Sequence, residues 1–500
     1  MKKNKLYLTI IILLSLLVVG ETIGIALMLT KNKPVEPIVE TPVEPGYVRG
    51  KVLTDTGSMV PAGIIIEDQA GNTYRTVTNS LAGYNLRLAP GTYNLYFTKG
   101  PEYSVVKKTI TVESFKMYYL QDVRLVQLFD AYALGWISGD LHQHTFYSDG
   151  TDSVENVLLS NISAGLYYGF LSDHNTALGL SEWSQGQNLV ANVDKDGNKR
   201  FFNTYEAVEI TTEFGHYQSI GAGITFDQYE VVLREIERVK RGQEKDDIIK
   251  DKITYIANEI KRAGGVAQIN HPYSPSTMGF NYWDIAEHFD TIEIWNGVYV
   301  PADGRYETTP TSYSQNYRAK LKWFELLNEV KNGGKFFPAT GGTDNHDTAS
   351  PYRNTGEIVV NNINDYAKLY QKYGKYSGQP TTYLQIDGEV TLEKTLNAIR
   401  KGNSFITNGP MVIADIDGKI YGETVALDRA TKLNINLFNR DGLEQLKIIK
   451  NGEVMQSIDL SGSYYNESID LNGLNSGDWI LLEVLGKDIY YALTNPIFIN

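Results

Sequence analysis

The chain has 500 residues, with 46 basic and 59 acidic side chains and a net charge of −13. Its composition, 42% hydrophobic and 21% charged, is that of a globular protein and excludes a disordered chain. The acidic balance argues against a large nucleic acid as partner, and the absence of cysteine excludes disulfides, thiolate metal sites, iron–sulfur clusters and cysteine nucleophiles.

Lys2, Lys3 and Lys5 precede an apolar run over 6–20, and a second apolar stretch, 23–29, ends before Lys31 and Lys33. A positive start and an apolar core have the layout of an export signal. The two stretches together make about 25 residues, enough to span a hydrocarbon layer of ~30 Å. Segment 1–30 is therefore expected to be a membrane anchor with everything after it outside the cytoplasm, or, if cleaved, a signal for secretion. Residues 31–46, which contain PVEPIVETPVEPG, read as an extended Pro/Glu spacer.

Short alternating runs separated by turn signals over 47–128 predict a β-sandwich with no catalytic role. From 131 to 408 the pattern changes to apolar strands alternating with helices, of which 246–264 is the clearest, with acids in its first turn and Lys261 and Arg262 in its last. This alternation predicts an α/β unit of parallel strands, as a barrel or a doubly wound sheet. Short β runs return over 409–500, a C-terminal β domain.

Six of the seven histidines fall at predicted strand ends. His142 and His144 form an H-x-H; on a strand such residues share a face and can share one ion. Asp149 follows on the loop. His174 ends the next strand after Asp173, Glu209 precedes His216 by seven residues, His271 ends another strand, and Asp344 and His346 form a D-x-H. His288, beside Glu287 on a helical segment, stands apart. Each histidine alone is an ordinary structural residue. Together, with carboxylates beside them and no cysteine, they predict a metal site, and the ligand types favour Zn, Mn or Fe over Ca or Mg. No G-x-S-x-G elbow or Walker A motif occurs. A Ser–His–Asp triad using Ser148 or Ser172 would leave most of the histidines unexplained.

The order HQH, SDG, SDHN, EITT-x-x-GH, NHP and TDNH resembles the PHP (polymerase and histidinol phosphatase) metallohydrolase superfamily and, within it, the CehA/McbA-type hydrolases. The resemblance extends to the flanks: GPEY at 100–103 is similar to an N-terminal carboxypeptidase-regulatory-like β domain, and TNPIFI to a C-terminal β-sandwich. It implies a distorted (βα)7 barrel holding two or three divalent ions. His142, His144, Asp344 and a bridging Glu209 would hold the first ion, and His216 and His271 would complete a second with Glu209. Asp149, His174 and His346 would form a third site. Glu206 and Glu213 remain alternatives to Glu209. Asp173 and Glu293 would orient imidazoles, and Arg353 would pair with a phosphate.

A hydroxide shared by two ions would attack phosphorus or an acyl carbon, with Glu209, Asp344 and His346 at the reacting centre. The expected substrate is a small phosphoester (monoester, diester or nucleotide end), with a carboxyl or carbamate ester as the alternative. A non-catalytic surface binding module is the reading from a different class. Tyr147, Trp183, Tyr217, Tyr273, Trp283 and Trp295 are candidates for lining a cleft.

Overall fold

The computed structural model describes residues 44–71, 73–224, 246–274, 278–297, 314–347, 377–487 and 490–500. The expected anchor over 1–30, nearly all of the spacer and Arg353 lie outside them. Among the described residues no helix is long and apolar enough to cross a membrane.

Eight strands, from Gly46–Thr54 to Val123–Leu125, form two four-stranded sheets. Alternation decides which side chains go inside. In Gly63–Glu67 and Gly91–Thr98 the inward positions are Ile64, Ile66, Leu95 and Phe97, which pack with Val48, Val52 and Val123 into one core.

This unit is fastened to the rest of the molecule through 99–103. Lys99 is buried and donates to the carbonyls of Pro61 (2.9 Å) and Ile162 (2.8 Å). Burial without a counter-charge lowers its pKa to about 7. Gly100 has φ +70°, and a Cβ there would strike the Ala164 carbonyl, so only glycine fits. Glu102 accepts from the Ala131 amide and from the Tyr383 hydroxyl, both at 2.9 Å.

Burial, opposed by those two hydrogen bonds, pushes the Glu102 carboxyl up to about 7 from an ordinary 4.5. A raised carboxyl pKa means a contribution to stability that is complete below about pH 4.5 and lost as pH rises through 7. The loss is about 3 kcal/mol. Glu102→Gln is therefore expected to match the wild type in urea unfolding near pH 4.5 and to exceed it at pH 8. A variant weaker at both pH values would refute this account.

Seven strands carry the candidate site: β1 Trp136–Asp140, β2 Tyr168–Leu171, β3 Asn203–Thr212, β4 Gly215–Ile220, β5 Val266–Ile269, β6 Thr291–Asn296 and β7 Ala339–Gly342. They lie in the order β7-β6-β5-β4-β3-β2-β1, followed by Thr381–Gln385 and Ser404–Thr407. β1, β2 and β3 are parallel, as are β5, β6 and β7. Strands β2, β4, β5, β6 and β7 are buried throughout, the pattern of a sheet covered on both faces. Helix Asp246–Arg262 covers one part of it with Ile249, Ile253, Ile256, Ala257 and Ile260, an i, i+4, i+7 stripe. The sheet curls until the segments beyond β1 and β7 meet. There the His144 amide donates to the Asn345 carbonyl (2.9 Å) and the Asp344 amide to the His142 carbonyl (2.8 Å).

The architecture is thus mixed α/β, but it departs from regular βα alternation. β4 follows β3 through a turn at 213–214 and runs antiparallel to both neighbours, because two residues leave no room for a helix. The C-terminal strands also continue the same sheet: Ser404–Thr407 pairs with Tyr491–Thr494, which pairs with Trp479–Gly486. Pairing there covers what would otherwise be an open edge. Trp136, Tyr383 and Phe405 share a core with Val412, Leu433, Leu446 and Leu482.

Candidate metal centre

Each histidine of interest leaves the sheet at the same end. His142 and His144 lie just past β1, His174 past β2, and His271 past β5. Asp344 and His346 lie past β7. Glu209 and His216 occupy the two arms of the β3–β4 hairpin, where Thr211 is the partner of His216. Glu293 is in β6. His271 (φ +24°) and Asp344 (φ +48°) hold a backbone conformation rare for residues with a Cβ, a strain typical of functional sites.

Glu209 is at the centre and fully buried. Its Oε2 lies 3.1 Å from His142 Nε2, 3.3 Å from His144 Nε2 and 3.0 Å from His174 Nδ1. Its Oε1 lies 3.2 Å from His216 Nδ1 and 3.1 Å from His271 Nε2, and accepts from Asn270 Nδ2 at 2.9 Å. Asp344 Oδ1 is 3.2 Å from His142 Nε2 and 3.0 Å from His144 Nε2. Asp149 Oδ1 is 3.1 Å from His346 Nε2 and 3.5 Å from His174 Nε2.

Three overlapping groups place their donor atoms within 4.8 Å of one another: His142, His144, Glu209 and Asp344; His174, Glu209 and His216; and His144, Asp149, His174 and His346. Within this arrangement His174 faces both Glu209 and Asp149, while His271, expected with His216 in a second site, belongs to none of the three groups although its Nε2 reaches the same Glu209 Oε1 as His216. His288 joins no group.

A cation fits this donor set better than hydrogen bonds do. His142 Nδ1 lies 2.9 Å from Glu293 Oε1, so in the neutral ring the N–H points there and Nε2 carries a lone pair. That lone pair faces two carboxylate oxygens. His142 Nε2, Glu209 Oε2 and His144 Nδ1 are buried without a hydrogen-bond partner. Oxygens and nitrogens this close repel unless a proton or a metal ion lies between them. Imidazole and carboxylate donors without sulfur suit Zn, Mn or Fe.

The electrostatics are correspondingly tense. Burial disfavours the His142 imidazolium, yet Glu209, Asp344 and Glu293 hold its pKa well above the usual range. Burial would raise the Glu209 carboxyl, but His142, His144 and His174 hold it well below. At the outer edge, the His346 hydrogen bond lowers Asp149 to about 2. Burial opposes protonation of His346, but Asp149 and Asp344 bring it up to about 9.

The surroundings sort the remaining candidates. Glu206, an odd number of residues from Glu209, points to the other face of β3 and is exposed; Glu213 is in the hairpin turn. Glu293 touches an imidazole, whereas Asp173 does not. It accepts from the Thr145 amide (2.7 Å), Thr145 Oγ1 (2.6 Å) and Ser148 Oγ (2.7 Å), bracing the loop between His144 and Asp149. Ser172 Oγ bonds the Gln143 backbone, so neither serine engages a histidine and a Ser–His–Asp triad has no geometry here. Trp183, Tyr217 and Trp295 are core residues rather than cleft walls.

Sequence reasoning missed Asn270 and Asn296. Asn296 Nδ2 donates to Glu293 Oε2 (3.1 Å) and Asp344 Oδ2 (3.2 Å). The available signal was an asparagine at the end of an apolar strand, a residue strands disfavour.

No protein-family model and no curated protein matches the sequence. Among solved structures, the chain is similar to a two-domain protein from Bacteroides vulgatus containing a predicted PHP-like metal-dependent phosphoesterase. That likeness has a TM-score of 0.33 and 14% identity over 72% of this chain and 96% of that one. A Bifidobacterium adolescentis protein assigned by name as a metal-dependent phosphoesterase gives a TM-score of 0.25 and 16% identity over 47% and 96%. An amidohydrolase from Chromobacterium violaceum gives 0.26 and 15% over 42% and 87%. TM-scores this low do not establish a shared fold, and the site stands on its own geometry.

Proposed function

We propose that the protein is a multinuclear metal-dependent hydrolase of the PHP type that cleaves small phosphoesters, anchored by residues 1–30 with its site outside the cytoplasm. The observation that carries the hydrolase reading is the gathering of five imidazoles and a second carboxylate around the buried Glu209, at distances too short for uncompensated lone pairs.

Bound divalent ions would supply Lewis-acid polarisation of the phosphoryl oxygen and activation of water near neutral pH. The chain's own residues supply the order. Glu293 fixes the ring of His142, Asn296 fixes Asp344, and Asn270 fixes Glu209, so little reorganisation remains when substrate arrives. Access is from the outer group: the side chains of Asp149, His346 and His174 are 60%, 31% and 21% exposed, whereas His142, His144 and Glu209 are fully buried.

The test is metal content of the purified full-length chain by mass spectrometry, followed by turnover of bis(4-nitrophenyl) phosphate, 4-nitrophenyl phosphate and 4-nitrophenyl acetate. Two to three equivalents of Zn, Mn or Fe are expected, falling in His142→Ala and His271→Ala, with the phosphoesters preferred. Exclusive turnover of the acetate would reassign the protein to carboxyl esters. A folded chain that takes up no metal would end the hydrolase reading and favour a binding module.

A further inference from the structure

We propose that Arg318, held on the ring of Tyr273 at the rim of the metal centre, binds the charged oxygens of the substrate and thereby selects an anionic phosphoester over a neutral ester. The proposal deepens the hydrolase reading and rests on it.

Two chain exits meet at this point. Tyr273 follows His271 by two residues, in a turn closed by the Ser274 amide donating to the His271 carbonyl at 2.8 Å. Helix Ser314–Val330 starts at the same rim. Asn316 Oδ1 accepts from the Asn296 amide, and Asn316 Nδ2 donates to the Asn296 carbonyl, both at 3.0 Å. Asn296 is in turn bonded to Asp344. Arg318, two residues further along, places its guanidinium carbon 4.3 Å from the centre of the Tyr273 ring. The stack thus bridges the exit that carries His271 and the one that supports Asp344.

A guanidinium lying over an aromatic face keeps its N–H groups in plane and pointing outward, ready for two parallel bonds to phosphate oxygens. Arg318 is exposed and forms no ion pair with a described residue. Lys322, one turn on, is spent differently: its Nζ lies 2.9 Å from Glu325 Oε2. The chain carries −13, and the candidate metal centre itself holds the carboxylates Asp149, Glu209 and Asp344. A dianionic substrate approaching this field gains from a fixed positive charge beside the metals; a neutral ester does not.

Arg318→Ala, Arg318→Lys and Tyr273→Leu in the full-length, metal-loaded chain test this by two readouts. Inorganic phosphate binding by calorimetry is expected to weaken about tenfold in Arg318→Ala, about threefold in Tyr273→Leu, and to be partly restored in Arg318→Lys, which keeps the charge but not the fork. In parallel, KM for 4-nitrophenyl phosphate should rise about tenfold with kcat within twofold, leaving 4-nitrophenyl acetate unaffected. Phosphate affinity unchanged in Arg318→Ala, or equal losses on both esters, would overturn the proposal. Lack of turnover in the wild type would strike the hydrolase reading instead, and the phosphate titration would still decide the role of Arg318.

Discussion

Glu209→Gln should lower turnover about a thousandfold or more and cut bound metal to half or less. The substitution keeps volume and one carbonyl oxygen but removes the only carboxylate that both inner groups share. Losing a partner behind a ligand typically costs about 10–100-fold in affinity or activity; losing a shared ligand should exceed that. A second consequence separates this residue from a mere ligand. In chelator, the wild type still has a buried carboxylate neutralising the imidazoles, and breaking a buried charge pair costs roughly 3–5 kcal/mol. The folded-state pKa of Glu209 is well below its ordinary 4.5, so its contribution is present above about pH 4.5 and lost as pH falls below it. Urea unfolding in chelator should therefore show the variant far weaker than wild type at pH 6, with the gap closing toward pH 3. Equal stability at pH 6 would mean that Glu209 does not hold the imidazole cluster together.

Gly342→Ala should be nearly as damaging without removing any ligand. Gly342 ends β7 beside His142, and a Cβ there would collide with His142 Cβ and sit 2.8 Å from Glu293 Oε1. Both belong to the pair that fixes the His142 ring. Neither can retreat, because His142 is bonded to the 344 amide and Glu293 to the His271 amide. Overpacking of this kind costs about 1–3 kcal/mol, and the displaced imidazole should reduce metal uptake with it. Gly264→Ala is the control: it has φ +85° but nothing within 4 Å of the added Cβ. It should cost about 1 kcal/mol and leave metal content unchanged. Metal retained in full by Gly342→Ala would show that the His142–Glu293 pair tolerates displacement.

The site was legible in sequence wherever its chemistry is local. H-x-H on an extended segment, D-x-H after a strand, and His271 at the end of an apolar run each announce a group aimed to one side, because backbone alternation is a short-range rule. What sequence could not show is pairing. The β3–β4 hairpin makes Glu209 and His216 neighbours across two strands, yet AVEITTE alone reads as one strand feeding a helix. The joining of 404–407 to 491–494 depends on which edge is left open once everything else has folded. Trp183, Tyr217 and Trp295 have the same composition signal whether they line a cleft or fill a core; their burial is decided by helices and strands far away in sequence. Asn270 and Asn296 were hidden for the opposite reason, since a polar residue at a strand end usually means only that the strand stops.

The meeting of the segments beyond β1 and β7 has a consequence for how the protein is made. His144 and Asp344, whose side chains come within 3.0 Å, are 200 positions apart, and the strand at 404–407 gains its outer partner only when 491–494 is available. Chain synthesis runs from the other end, so a growing polypeptide holds the histidines of its first strands long before Asp344 exists to face them. Closing so long a loop is slow, and until then the first imidazoles lack the Asp344 carboxylate. The full set of donor groups is therefore assembled late, after the last of these segments has been made.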